Sequence, residues 1–167
     1  MTHSGSFLTP RSAEDVFDLV ANPECFVPLL PDYESMSMQD ATHFALRIVI
    51  EVGEIKGHAN LAMELVEAAR PSRMEYRGQG IVAGSQLSLG MFFEIARAAE
   101  ATEVRWQGEV TLDGVLAVMA GSLMDTMGRQ NFDLMAERLH DRLRDATSGS
   151  PVERPASEFP PDLDFEI

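Results

Sequence analysis

The sequence predicts an α+β domain in which a curved antiparallel β-sheet is wrapped around one long C-terminal helix. Three observations predict this class. Ser12 with Asp15 three residues later resembles a capping box at the start of a short helix. Apolar and polar residues then alternate from Thr42 to Asp113, as they do in half-buried strands. After Gly114, apolar residues recur every three or four positions, which is typical of an amphipathic helix.

The N-terminal segment predicts a short strand and two short helices before the sheet continues. Residues 5–8 favour a first strand, which Pro10 interrupts. Apolar residues follow at helical spacing over 12–21, and Asn22-Pro23 ends this helix because the residue before a proline disfavours helical backbone. Residues 25–30 predict a second short apolar helix or turn, which Pro31-Asp32 closes.

Five further strands are predicted at residues 42–51, 55–67, 72–79, 86–95 and 102–113. Turn-forming residues separate them, among them Gly53-Glu54 and Gly84-Ser85. Each strand has an apolar face and a polar face, so the sheet is predicted to be an antiparallel meander with one buried side. Tyr76 and Thr102 are the polar residues predicted on that buried side.

The C-terminal part of the chain combines a helix and a tail. The helix is predicted to extend over about 25 residues and to bury its stripe against the sheet. Its predicted stripe is Met119, Leu123, Met124, Met127, Leu134, Met135, Leu139 and Leu143. The composition changes at Ala146, so we expect a domain over residues 1–145. Residues 146–167 are expected to form a flexible, acidic, proline-containing tail.

The net charge of −14 disfavours nucleic acid and anionic lipid surfaces as partners. The one cysteine, Cys25, excludes an internal disulfide and suits a reducing compartment. The N-terminus lacks the pattern of a signal peptide, and no apolar run approaches the ~18 residues of a membrane span. We therefore expect a cytoplasmic protein.

The predicted inner face favours binding of an apolar molecule over catalysis. Acid–base chemistry needs an ionisable side chain that projects into the site, and nearly all strand carboxylates and histidines fall on the polar face. No catalytic residue is therefore predicted. Flexible methionines suit adaptable apolar sites, and Asn131 shares the inward side of the helix with Met127 and Met135. The candidate ligand-binding residues are Met36, Ile48, Met63, Tyr76, Leu89, Met91, Trp106, Met127, Asn131 and Met135.

The histidines and the strand glycines leave two further points. No metal site is predicted, because His3, His43, His58 and His140 lack the spacing of a ligand set. Glycines within strands mark bulges or the close approach of another group. Two interpretations stay open for these glycines: they bend the sheet and leave a cavity, or they only shape it. The residues concerned are Gly57, Gly78, Gly80 and Gly108.

The chain resembles the CoxG family of carbon monoxide dehydrogenase proteins, which is part of the START-like SRPBCC superfamily. The resemblance covers residues 3–143 and is carried by the order and spacing of four segments. These segments are 52–57, the glycines Gly78 and Gly80 with Gly84, 102–106, and 110–117. The resemblance implies a helix-grip fold with seven antiparallel strands and a cavity between the sheet and the last helix. It also implies an accessory role beside a molybdenum hydroxylase of the carbon monoxide dehydrogenase type.

The chain departs from the family pattern at two places. Pro31-Asp32 stands where the family often has Pro-Gly, which alters the rim of the cavity. The tail is acidic and has neither the basic nor the continuously apolar composition of a membrane anchor. We therefore expect no autonomous membrane anchor, and peripheral membrane contact only through a partner.

Three functions remain open at this point. The first is a non-catalytic binding protein that needs no cofactor and holds a lipid or a menaquinone-like isoprenoid quinone. The second is an assembly or docking factor for such an enzyme, in which Phe159, Leu163, Phe165 and Ile167 of the tail engage a basic groove. The third is an enzyme of the same superfamily, a cyclase or lyase, with Tyr76 as the acid and Asn131 as an orienting group.

Overall fold

The computed structural model describes residues 1–149 and has the predicted α+β class. A seven-stranded sheet is combined with two short helices near the N-terminus and one long helix at the end. A 3-10 turn at Val27–Leu29 follows the second helix. The elements are β1 Thr2–Thr9, α1 Ala13–Val20, α2 Pro23–Phe26, β2 Tyr33–Met38, β3 His43–Val52, β4 Ile55–Ala69, β5 Arg73–Val82, β6 Ser85–Ala98, β7 Ala101–Leu112 and α3 Val115–Gly149.

The sheet is entirely antiparallel, in the order β1-β7-β6-β5-β4-β3-β2. Strands β2 to β7 form a meander, and β1 lies beside β7, so β1 and β2 are the two edges. Two-residue turns join β3 to β4 and β5 to β6. Gly53 and Gly84 adopt left-handed backbone in these turns, with φ of 62° and 77°, which glycine permits without strain.

The inner face of the sheet is buried as the alternation predicts. On β3, Phe44, Leu46, Ile48 and Ile50 are all buried, whereas Val49 and Glu51 are exposed. Thr102 is also buried, and its hydroxyl donates a 2.6 Å hydrogen bond to the Arg11 carbonyl. The predicted meander with one apolar side is therefore confirmed.

Strand β2 follows from the family resemblance but not from hydrophobic periodicity. It is a short edge strand whose register against β3 shifts between Tyr33 and Ser35. A shift of this kind breaks the period of two, because residues on either side of it no longer alternate in step. The sequence pattern in this segment therefore carries little strand signal.

The N-terminal helices pack on the inner side of the sheet. The side chain of Ser12 accepts a 3.0 Å hydrogen bond from the Asp15 N–H, which confirms the predicted cap. Helix α1 buries Val16 and Val20 completely, and α2 buries Phe26. Phe26 stacks on Tyr76 at 5.7 Å and meets Phe93 edge to face at 5.2 Å, so this end of the sheet is filled by aromatic rings.

Helix α3 is bent near its start, because Ala120 has non-helical backbone with φ −136° and ψ 15°. Beyond the bend, Phe132, Met135, Leu139 and Leu143 are buried against the sheet. The prediction was wrong for Met119 and Leu123, which are 69% and 52% exposed, and for Leu134, which is 37% exposed. It also missed Phe132. The bend rotates the first turns of α3 relative to the buried stripe, which a single helical period cannot anticipate.

The end of α3 defines how far the predicted domain boundary can be followed. The helix continues to Gly149, whereas the tail was predicted to begin at residue 146. From residue 150 onward, the predicted tail lies outside the described residues. Within residues 1–149, no helix combines the length and the hydropathy required to cross a membrane.

Candidate functional site

A cleft lies between α3 and one end of the sheet. Its volume is about 80 Å³, and it is continuous with solvent. Most of its lining is apolar, and the polar side chains belong to Asp32, Glu51 and Asn131. The lining residues are Leu30, Pro31 and Asp32, then 48–51 of β3, Leu87 and Leu89 of β6, Val110 of β7, and Met124, Met127, Gly128, Asn131 and Phe132 of α3.

The cleft forms where the edge strand β2 stops short of the end of β3. Tyr33, the first residue of β2, is paired with Ile48, and the Val49 N–H donates a 2.9 Å hydrogen bond to the Asp32 carbonyl. The last residues of β3 therefore extend past β2, and α3 only partly covers the inner face there. Met124 and Met127 are half-buried at this point, in contrast with the fully buried Met135 two turns later.

Four of the ten predicted binding residues lie in this cleft. Ile48 and Leu89 line it from the sheet, and Met127 and Asn131 line it from α3. Ile48 is buried, whereas the other three are half-buried. The structure thus brings together one wall of the predicted site from strands and one from the long helix.

The other six predicted residues lie elsewhere. Met63, Tyr76, Met91, Trp106 and Met135 are at most 5% exposed and belong to the packed core. Met36 is half-buried on β2, opposite Leu46 of β3. These positions were chosen for the face on which they lie, and that prediction of the face is right. Aromatic residues of α2 and the middle of α3 fill the space above most of them.

Two strand glycines allow this close packing. An added Cβ at Gly78 would overlap the sulfur of Met63, and an added Cβ at Gly108 would overlap the Phe132 ring. At Gly57, by contrast, no atom lies within 4 Å of the position that a Cβ would take. Gly78 and Gly108 therefore admit side chains against the sheet, which supports the interpretation that they shape the core.

Sequence reasoning missed Asp32, Met124 and Phe132 as residues of the cleft. Met124 was placed on the helix stripe but not in the site, and Asp32 was noted only for its departure from the family pattern. The available signal was its position directly after Pro31 and before the first residue of β2, where chain connections approach the open end of the sheet. Burial raises the pKa of the Asp32 carboxyl, and a hydrogen bond from its own backbone N–H opposes that rise.

Tyr76, the candidate acid, is removed from the cleft. Its hydroxyl is buried and donates a 2.8 Å hydrogen bond to the Val20 carbonyl of α1. Burial raises the pKa of this phenol above its ordinary value. The side chain therefore joins α1 to β5, and Asn131, its proposed catalytic companion, lies in the cleft without it.

The histidines make separate contacts on the outside of the fold. His3 meets Asp133 at 2.8 Å, His43 meets Asp40 at 3.0 Å, and His58 meets Glu34 at 2.7 Å. His140 stacks on Phe7 with ring centres 4.6 Å apart. Within residues 1–149, no group of three or more His, Cys, Asp or Glu is arranged to hold a metal ion.

Comparisons with solved structures support the fold. A conserved protein from Geobacillus kaustophilus is 11% identical over 87% of this chain and 97% of its own, with a TM-score of 0.74. The Zhui aromatase/cyclase from Streptomyces sp. R1128 is 12% identical over 91% and 99%, with a TM-score of 0.66. A START superfamily protein from Mycobacterium smegmatis is 12% identical over 86% and 97%, with a TM-score of 0.62. At these identities the likeness extends to the fold alone.

Comparisons of sequence identify the family. Among curated proteins, none matches this chain. The model of one protein family does match, over residues 5–144, and its description is that of CoxG, a subunit of carbon monoxide dehydrogenase. The match includes residues of every strand and the buried part of α3. The chain therefore belongs to the CoxG family of carbon monoxide dehydrogenase.

Proposed function

We propose that this protein is a non-catalytic accessory protein that holds a hydrophobic small molecule in the cleft between α3 and the sheet. The observation that carries the proposal is the composition of the cleft. Aliphatic and methionine side chains form most of its walls, and a few polar groups lie at its rim. Sites for small apolar ligands have this character, with apolar burial providing affinity and a few polar groups fixing orientation.

The cleft must open to accept a ligand. Its volume of about 80 Å³ is below the roughly 300–1,000 Å³ of pockets that enclose drug-sized molecules. Met124 and Met127 are the mobile part of its wall, because methionine side chains are unbranched and change rotamer readily. Movement of these side chains, or of the bent first part of α3, would enlarge the cleft toward solvent.

The proposed ligand is a lipid or an isoprenoid quinone, and the proposed partner is a molybdenum hydroxylase of the carbon monoxide dehydrogenase type. Membership of the CoxG family supports the partner, because the family is named for a component of that enzyme. The apolar cleft supports the ligand class. A protein of this kind would present its bound molecule to the enzyme and carry out no chemistry of its own.

Extraction and uptake test the proposal. Protein purified from its host is extracted with organic solvent, and ligand-free protein is then titrated with menaquinone and with a long-chain lipid. We expect a bound apolar molecule in the extract, or saturable uptake of an added one. Failure of both would contradict the proposal.

Exposed apolar side chains favour an assembly or docking factor as the second candidate. Val115, Val118 and Met119 are 70%, 88% and 69% exposed on the first turns of α3. In this alternative, these turns contact the enzyme directly and the cleft is incidental. Capture of purified enzyme by the wild type and by a Val118→Ser/Met119→Ser variant tests it, together with a variant lacking residues 150–167. Equal capture by all three would contradict this alternative.

A further inference from the structure

Asp32 is the half-buried carboxylate of the cleft. It follows Pro31 at the end of the helical segment, and its own carbonyl is bonded to the Val49 N–H at 2.9 Å. This bond fixes Asp32 beside the free end of β3. Its side chain therefore belongs to a position that the fold holds rigidly next to an apolar space.

The described structure gives the Asp32 carboxyl no cationic partner. Within residues 1–149 no side chain pairs with it, and its one hydrogen bond comes from its own backbone N–H. The other acidic residue of the lining, Glu51, is exposed and lies opposite Lys56 across the β3–β4 pair. In the part of the chain that the structure describes, no lysine, arginine or histidine lines the cleft.

The polar groups of the cleft discriminate between head groups. An ionised carboxylate can only accept hydrogen bonds, whereas the Asn131 amide on the opposite wall both donates and accepts. A hydroxyl group can donate to Asp32 and accept from Asn131. An anionic head group would bring a second negative charge into a poorly solvated site, which is unfavourable. A carbonyl group would leave Asp32 without a donor.

We propose that the cleft selects uncharged ligands whose head group carries a hydroxyl, and that Asp32 sets this preference. The inference rests on the proposed function, since it describes which apolar molecules the cleft accepts. Fatty acids are excluded by their charge. Among isoprenoid quinones, the hydroquinone form is preferred to the quinone, because the quinone has carbonyl acceptors only.

The test compares three probes with matched chains. Ligand-free, full-length protein is titrated at pH 7.5 with 1-decanol, decanoate and 2-decanone, and binding is followed by calorimetry. Asp32→Asn removes the charge without changing the shape of the side chain. Glu100→Gln is the control, because this exposed carboxylate lies in the β6–β7 turn and its loss changes the net charge equally.

In the wild type and in Glu100→Gln, decanol is expected to bind about tenfold more tightly than the other two probes, a difference typical of one charged hydrogen bond. In Asp32→Asn the preference should fall to about threefold or less, because an amide can donate to a carboxylate or ketone. Asp32→Ser serves as a second variant if Asp32→Asn folds poorly.

The outcomes separate this inference from the function on which it rests. Decanoate binding as tightly as decanol to the wild type would overturn the preference and leave the apolar binding function intact. A preference unchanged in both Asp32 variants would overturn the role of Asp32. Binding of none of the three probes would contradict the proposed function, and the preference with it.

Discussion

The hydroxyl of Tyr76 on β5 donates a 2.8 Å hydrogen bond to the Val20 carbonyl at the end of α1. Both residues are buried, so the bond replaces water for the two groups at once. Replacement of Tyr76 by Phe leaves the carbonyl without a donor and should lower the free energy of unfolding by about 1–3 kcal/mol. Urea denaturation measures the loss. Uptake of an apolar ligand should remain unchanged, and loss of ligand uptake in a stably folded variant would contradict a purely structural role.

Two strand glycines should respond to alanine with opposite signs. A Cβ at Gly108 would overlap the Phe132 ring, so Gly108→Ala should destabilise the fold by about 1–3 kcal/mol through overpacking. Gly57→Ala meets no atom within 4 Å and should be neutral or stabilising by about 0.4–1 kcal/mol, because alanine restricts the unfolded chain. Parallel urea denaturation compares them. Equal effects of the two substitutions would show that Phe132 does not pack against β7 as described.

Asp40 should contribute to stability down to unusually low pH. Its carboxylate accepts hydrogen bonds from the Thr42 and His43 N–H groups at 2.8 and 2.7 Å and contacts the His43 ring at 3.0 Å. The Thr42 N–H and then the His43 side chain lower the pKa of Asp40 to about 2. The unfolded carboxyl has a pKa of about 3.9, so the contribution is complete above that value. It is lost as the pH falls through about 2.

An NMR titration of the Asp40 carboxyl carbon measures this pKa directly. Asp40→Asn should remove part of the acid dependence of stability between pH 4 and pH 2, with the variant and the wild type converging at the acid end. The exposed Asp113 is a reference carboxyl in the same spectrum. An Asp40 midpoint equal to the unfolded value would show that these hydrogen bonds do not persist in solution.

The first part of α3 should be less protected against hydrogen exchange than the second. Ala120 interrupts the helix, and the neighbouring turns expose Val118 and Met119, whereas residues from Phe132 to Leu143 are anchored in the core. Amides of residues 121–128 should therefore exchange faster than those of residues 132–143 in the ligand-free protein, and binding should slow them. Uniform protection along α3 would contradict opening of the cleft at this end.

The sequence predicts the faces of the fold better than its filled and unfilled regions. Alternation on β3 and β7 identifies Ile48 and Trp106 as inward residues, and both are buried. It cannot distinguish their surroundings, because that depends on distant elements. Trp106 packs against Gly5 and lies near Phe132, with ring centres 6.4 Å apart, whereas Ile48 lies where β2 ends and a cleft remains.

The missed features have local physical causes of the same kind. The register shift after Tyr33 conceals β2 from a search for alternation, and the bend at Ala120 moves Met119 and Leu123 to the surface. Asp32 joins the cleft through a backbone hydrogen bond to Val49, a long-range contact that composition and spacing do not report. The family resemblance supplies the strand count, because it transfers a whole topology at once.

Substitution of tryptophan at two methionines of α3 tests the central claim, that an apolar ligand occupies the cleft. Met127 is half-buried in its wall, whereas Met135 is fully buried in the core. Met127→Trp should fill the cleft, leave Tm nearly unchanged and abolish uptake of 1-decanol and menaquinone. Met135→Trp should instead overpack the core and cost about 1–3 kcal/mol. A large loss of stability in Met127→Trp, with ligand uptake intact in the folded protein, would contradict the proposed site.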